Sequence, residues 1–521
     1  MRRACVLAVC VAAGVVVGLR TAGAAPSIAR PAELMAVITV SEPSLAGFKS
    51  YLNAVVPGTG AALDVGKLLQ MSAVPTAGLD VAKAPVHLLV TYTRGAPGVA
   101  VLAKVTDAAK VNAARIGATP RIAGGWALLA TRQVDIDAVA AYAFGTVART
   151  PPPTAPTATL FTVPFLAEAA LFLATTRMSM PAGPKTATMS AALDAYIDAF
   201  LAVGGDADAI EVRLEADADL ATLDAVIAPR AGTRFAQFAA AQKASDFGLI
   251  AKLPASHAGM LFAGRLATDP YRDQILGVTM ALYTSGASSS VLSDAIAAIM
   301  KAASGEFAMV LQLDKKRGLS VAHLFGIDDA KAVDGAIHAG MKVLAGKGVR
   351  IGGGYKGVAS TWTAFAVPVV HDGVSLRGYR VKLEPPPNEP AKRAQDILSP
   401  GGRSEGVVAL VDGLGMTANG LDGALEGGRV IDAMRGRGAR LTLSKTMAQL
   451  VDYARARRDS ALIAVDAGAY AAAMGLPVTD EATFAMSAGF ADGSAHVRTL
   501  VPAASVRAAI GIAQAANNAS P

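Results

Sequence analysis

The sequence predicts an α+β protein, with antiparallel sheets covered on one face by helices and one strand–helix order written twice. Two observations carry this. Short runs rich in β-branched residues alternate with Ala-rich stretches whose apolar residues recur at helical spacing. In addition, "GVAVLAKVTDAAKV" at Gly98 returns as "GLSVAHLFGIDDAKAV" at Gly318, and "RIAGGW" at Arg121 returns as "RIGGGY" at Arg350. A motif that travels with a repeat belongs first to the scaffold, so the repeat is read before any site.

In the first half, Leu34 to Val40 reads as a strand, with helical spacing from Ser44 to Val56 and from Ala61 to Leu69. Val86 to Tyr92 and Val99 to Val105 are strands joined by the turn residues Arg94 to Gly98. Asp107 is placed to cap a helix running to about Ile116, because its carboxylate can accept from the free N–H groups of the first turn. Ile122 to Thr131 is again strand-like. The second half repeats the order. Met260 to Arg265 is a strand, and Pro270 to Tyr283 and Val291 to Ala303 are helical. Phe307 to Leu313 and Leu319 to Phe325 form a hairpin, and Asp328 or Asp329 caps a helix to about Leu344 before Arg350-Ile351. Such β-α-β-β-α-β modules are ferredoxin-like in element order.

A looser version follows each module. Thr159 to Val163, Ile210 to Ala216 and Ala461 to Val465 read as strands. Thr483 to Phe490 and Ala495 to Val501 make a hairpin turned by Asp492-Gly493. Leu220 to Ala228 and Ala504 to Ala515 read as closing helices. The expected layout is a signal peptide (1–25), a first half (26–245, modules about 30–150 and 157–245) and a second half (246–521, modules about 250–366 and 440–521). An insertion at about 367–438 does not fit the repeat: a hairpin around His371-Asp372-Gly373, the run Pro385-Pro386-Pro387, a short helix and the strand Gly406 to Val411. Function often sits in such additions to a scaffold.

The N-terminus directs export. Arg2 and Arg3 precede an apolar run from Cys5 to Leu19, then Ala22-Gly23-Ala24 in the form a signal peptidase accepts. Cleavage is expected after Ala24 or Ala25, leaving no transmembrane segment and a periplasmic or extracellular chain. Lipidation at Cys10 is disfavoured by the bulk of Val9 before it. Both cysteines, Cys5 and Cys10, lie in the segment to be removed, so a cysteine-free mature chain is expected. Removing Arg2, Arg3 and Arg20 lowers the formal net charge from +7 to +4, too mild to name a partner. The basic run Arg429 to Arg458 has only Tyr453 as an aromatic companion, which argues for a solvated helix face over a nucleic-acid or other polyanion site.

Candidate motifs fail for lack of context. Gly352, Gly354 and Gly357 spell G-x-G-x-x-G, but strand-like residues from Val358 to Phe365 follow where a phosphate loop needs a helix. Gly402-Arg403-Ser404-Glu405-Gly406 spells G-x-S-x-G with the strand after the serine, whereas a nucleophile elbow needs it before. The histidines His87, His257, His323, His338, His371 and His496 lack metal-ligand spacing. Asp206, Asp208, Asp217 and Asp219 lack a calcium loop and read as caps and strand ends. Pro164 and Glu168 interrupt the apolar stretch Leu160 to Ala174, which reads as a buried strand and helix. No residue is assigned a catalytic, cofactor or metal role, and no cofactor is expected.

On these repeats and the Ala-rich composition, the chain resembles secreted or periplasmic proteins of GC-rich bacteria with a duplicated α+β architecture. The resemblance implies organisation, with no site and no activity. The expected function is therefore that of an exported, non-enzymatic binding or scaffold protein of the cell envelope, its partner an envelope protein or surface component. A periplasmic carrier of lipid or another apolar ligand is the alternative, and a hydrolase with dispersed active-site residues is a third.

Overall fold

The computed structural model describes residues 29–71, 74–114, 117–161, 205–256, 258–267, 269, 271, 290–345, 349–351, 360–385, 389–473, 475, 478 and 481–518. The N-terminal segment, most of the Leu160 to Ala174 stretch, all of the expected helix Pro270 to Tyr283 except Tyr271, His257, and Gly352, Gly354 and Gly357 lie outside the described residues. One expectation is corrected by the chain itself. It holds two cysteines, Cys5 and Cys10, so it is not cysteine-free, and that description presupposed removal of a segment outside the described residues.

The chain divides into two compact units. From the N-terminus, β1 (Leu34–Val40) leads through α1 (Ala46–Val55) and α2 (Val65–Met71) to β2 (Val86–Thr93) and β3 (Ala96–Lys104). Then come α3 (Ala108–Ala113), β4 (Arg121–Ala123), β5 (Trp126–Ala130) and α4 (Gln133–Gly145). β6 (Thr157–Phe161), β7 (Ala207–Ala216), β8 (Leu220–Pro229) and α5 (Arg234–Ala241) follow. The next run is β9 (Met260–Arg265), α6 (Ser290–Ala302), β10 (Ala303–Asp314), β11 (Gly318–Ile327), α7 (Ala330–Leu344), β12 (Val349–Ile351), β13 (Ser360–Ala364), β14 (Val369–His371) and β15 (Val374–Leu383). After α8 (Glu389–Leu398) come β16 (Arg403–Val411), β17 (Leu414–Gly420), α9 (Gly423–Met434), α10 (Lys445–Ala456), β18 (Asp459–Asp466), α11 (Ala467–Ala473), β19 (Thr483–Ala491), β20 (Ser494–Pro502) and α12 (Ala503–Asn518).

The fold is mixed α+β with a large antiparallel sheet and flanking helices. In unit 1 the strands lie in the order β4-β5-β3-β2-β1-β6-β7-β8-β20. In unit 2 the order is β12-β13-β15-β16-β17-β11-β10-β9-β18-β19, with β14 hairpinned on β15. In each unit the first three strands, β1-β2-β3 and β9-β10-β11, form a sequential antiparallel meander. A split β-α-β unit would lay strands joined through one helix parallel. Here two helices, α1 and α2, separate β1 from β2, so the chain returns to the end where β1 finished and runs back beside it. After α3, the short β4 reverses the chain once more before β5 pairs with β3.

Tight turns make these reversals. Arg94-Gly95, Gly124-Gly125, Asp372-Gly373, Asp412-Gly413 and Asp492-Gly493 all have positive φ at both residues, the requirement of a two-residue primed turn. Gly124-Gly125 therefore splits the expected strand Ile122 to Thr131 into β4 and β5. The caps form as read: Asp107 accepts from Ala109 and Lys110, and Asp329 from Ala332.

Helices cover both faces of the unit 1 sheet, not one. Ala100 and Leu102 of β3 pack with Leu128, Ile136 and Val139 towards α4. Val101 and Ala103, one residue out of phase, pack with Leu129, Val65, Leu69 and Val111 on the other side. Four consecutive buried residues in β3 are the consequence. Leu220 to Ala228 is a strand and not a closing helix: its alanines favour a helix, but pairing with β7 on one side and β20 on the other satisfies its backbone as β8.

Candidate functional site

By strand order, β17 occupies beside β11 the place that β5 occupies beside β3, with β16 as its hairpin partner. What unit 2 adds is β12 to β15 and α8, and these extend the sheet past β16. Across β13, β15 and β16 the register aligns residues in rows. Leu376 and Ala409 share one face, followed along the strands by Gly378 and Val407, then Thr363, Arg380 and Glu405, then Thr361, Lys382 and Arg403.

Helix α9 covers the apolar end of this face. A Cβ on Gly427 would lie 2.6 Å from Val407 and 3.3 Å from Leu376, so the absence of a side chain there lets the helix sit against the sheet. Asp422 begins α9 by accepting from the Leu425 N–H at 3.0 Å. Past that start the rows are uncovered. Thr361, Thr363, Arg380, Lys382, Arg403, Glu405 and Asp422 line a cleft of about 580 Å³ together with the Gly401-Gly402 turn.

The charges of the cleft are unevenly compensated. Arg380 donates to Glu405 at 2.8 Å and lies over the Phe365 ring, 4.9 Å from its centroid. Lys382 and Arg403 stand directly opposite each other on adjacent strands, and among the described residues neither enters an ion pair. Like charges in that position repel. Behind the cleft, on the other face of the same strands, Trp362 stacks on Tyr379 at 5.1 Å, whose hydroxyl donates to Asn419 at 2.5 Å. Those contacts brace β13 and β15 and leave the cationic face to the solvent.

The basic run singled out in sequence behaves differently. Arg435 bridges Asp372 and Asp412, the acids of two hairpin turns, and Arg437 reaches Asp372 and Asp432. Hydrogen bonds from Arg437 and Arg435 hold the Asp372 carboxyl below the usual carboxylate range. Arg429 pairs with Glu426 and Arg455 with Asp452. Arg435 and Arg437 thus tie the end of α9 to the β14–β15 and β16–β17 turns, whereas Arg429 and Arg455 pair within their own helices.

The remaining candidates disperse. His87 is 2% exposed in β2, and burial pushes its ring down to about 4. His323 is likewise pushed down to about 4 by burial, beside Phe325. His371 lies 3.1 Å from Asp432, and His338 is exposed on α7. His496 is 3.7 Å from Asp224, which also faces Arg498 at 3.3 Å. Ser404 lies within β16 opposite Val381, so no nucleophile elbow forms around it. Asp206 accepts from the Phe235 N–H, and Asp217 from Asp219 and Leu220, as caps and turn acids do. Among the described residues no group of three or more His, Cys, Asp or Glu is placed to hold a metal ion, and no helix is long and apolar enough to cross a membrane.

Arg380, Lys382 and Arg403 are the residues that sequence reading passed over. The alternation in "RVKL" puts Arg380 and Lys382 on one face of a strand and was available as a signal. Arg403 joins them only through the β15–β16 register. Set against protein-family models, characterised proteins and solved structures, the chain finds no match in any of the three.

Proposed function

We propose that this chain is an exported, non-enzymatic binding protein of the cell envelope, built from two copies of one strand–helix plan, with the unit 2 cleft as its ligand site. The duplication draws support from the shared neighbour order, β5-β3-β2-β1-β6-β7 in one unit and β17-β11-β10-β9-β18-β19 in the other. Export draws on Arg2, Arg3, the apolar run and Ala22-Gly23-Ala24. The observation that carries the binding role is the cleft of about 580 Å³ where β13 and β15, which have no counterpart in unit 1, extend the sheet past β16. That volume is in the range of small-ligand sites. Native mass spectrometry of protein purified from the envelope of its own cells tests it. A retained small molecule, lost when Thr363→Trp fills the cleft, is expected. Retention unchanged by that substitution would move the site elsewhere.

A carrier of lipid or another apolar ligand is favoured by one separate observation. Met309, Phe262, Ile463 and Met486 stand opposite one another across β10, β9, β18 and β19, with Ile463 39% and Met486 50% exposed. Organic extracts of the same preparation decide it: stoichiometric lipid supports the carrier, and its absence removes it.

A further inference from the structure

We infer that the cleft recognises a multivalent oxyanion of the phosphate class, held by Lys382, Arg403 and Thr361; this rests on the cleft being the ligand site. Lys382 and Arg403 are directly cross-strand. Side chains in that relation begin about 5 Å apart at Cβ, and equal charges there destabilise the sheet unless a counter-charge lies between them. The cleft's own acids do not supply it. Glu405 takes Arg380 in the neighbouring row, and Asp422 caps α9. Thr361 completes the row, placing a hydroxyl donor opposite Lys382.

An ammonium, a guanidinium and a hydroxyl converging from three strands are donors for one group with several acidic oxygens, and charge-assisted bonds of this kind are the strong ones. A phosphate fills only part of about 580 Å³, so the cleft also has room for the body that carries it. That body is either soluble, as in a phosphate ester, or a membrane, when the phosphate is a lipid headgroup.

Calorimetric titration of inorganic pyrophosphate into the full chain tests the assignment at two salt concentrations. Binding that weakens with salt is expected, at least tenfold weaker in the double variant Lys382→Gln/Arg403→Gln and unchanged in Lys445→Gln. Thermal melting keeps the comparison honest: the double variant loses a repulsion and should melt no lower than the parent. Thr361→Val gives a second, milder loss of affinity. Cosedimentation with phosphatidylglycerol but not phosphatidylcholine vesicles, abolished by the double variant, assigns the headgroup source. Pyrophosphate binding without vesicle binding assigns the soluble one. Equal pyrophosphate binding by parent and double variant overturns the inference. A neutral molecule retained in native mass spectrometry and displaced by Thr363→Trp also overturns it, while leaving the cleft as a binding site. A cleft that retains nothing and ignores pyrophosphate removes both.

Discussion

Lowering the pH should destabilise unit 1 through His87. Its Nδ1 lies 2.9 Å from the Thr39 hydroxyl, Nε2 is buried with no hydrogen-bond partner, and the Trp126 ring is 5.6 Å away. Protonation would give the ring a second N–H with nothing to receive it, and burial accordingly pushes its pKa down to about 4. The unfolded chain holds the ordinary value of about 6.5. Between those values the unfolded state binds a proton that the folded state refuses. The stability from the neutral ring is therefore complete above about pH 6.5 and falls away as pH drops towards 4. For a shift from about 6.5 to about 4, the loss between pH 7.5 and pH 5 is roughly 2 kcal/mol. The chain has two tryptophans, so a Trp362→Phe background leaves fluorescence reporting on Trp126 alone. Urea unfolding in that background, with and without His87→Gln, should give a pH dependence smaller by about 2 kcal/mol in the variant. Equal pH dependence in the two proteins would refute the assignment to His87.

Two substitutions probe the packing directly. Asp135 is wholly buried and accepts from Thr91 at 2.9 Å, Thr93 at 2.6 Å and Arg132 at 2.7 Å. Burial works to raise its pKa, but the bonds from Arg132, Thr93 and Thr91 outweigh it and hold the carboxyl below its usual range. Asp135→Ala leaves the buried Thr91 and Thr93 hydroxyls without their acceptor and should cost about 1–3 kcal/mol in urea unfolding, and an unchanged stability would contradict the network. Gly427→Leu sets about 1 kcal/mol of gained helix propensity against overpacking worth about 1–3 kcal/mol where a Cβ meets Val407 at 2.6 Å. A lower melting temperature is expected, and a higher one would mean that α9 is not pressed against β16.

Local chemistry was legible wherever one or two residues decide the outcome. Asp107 and Asp329 cap because a carboxylate at that position lies within reach of the free first-turn N–H groups, and Asp492-Gly493 turns because both residues tolerate positive φ. Legibility failed where a neighbour distant in sequence decides. Leu220–Pro229 carries helix-forming alanines, but the two flanking strands make it β8. The same limit hid the cleft. Arg429 to Arg458 stands out in sequence because its basic residues are dense, yet Asp372 and Asp412 arrive from distant turns to neutralise Arg435 and Arg437. Lys382 and Arg403 are sparse in sequence and become a pair only when β15 and β16 align. The repeated "RIGGGY" marked the duplication, but the hairpin that takes the place of β4–β5 beside β11 is β16–β17, many residues later.

The most direct measurement is hydrogen exchange of the intact chain with and without inorganic pyrophosphate, read on peptides from β13, β15 and β16. Slower exchange confined to Ser360–Ala364, Val374–Leu383 and Arg403–Val411, and absent in Lys382→Gln/Arg403→Gln, is the predicted result. Protection elsewhere with these three strands unchanged, or protection that survives the double substitution, would contradict a cationic cleft as the binding site.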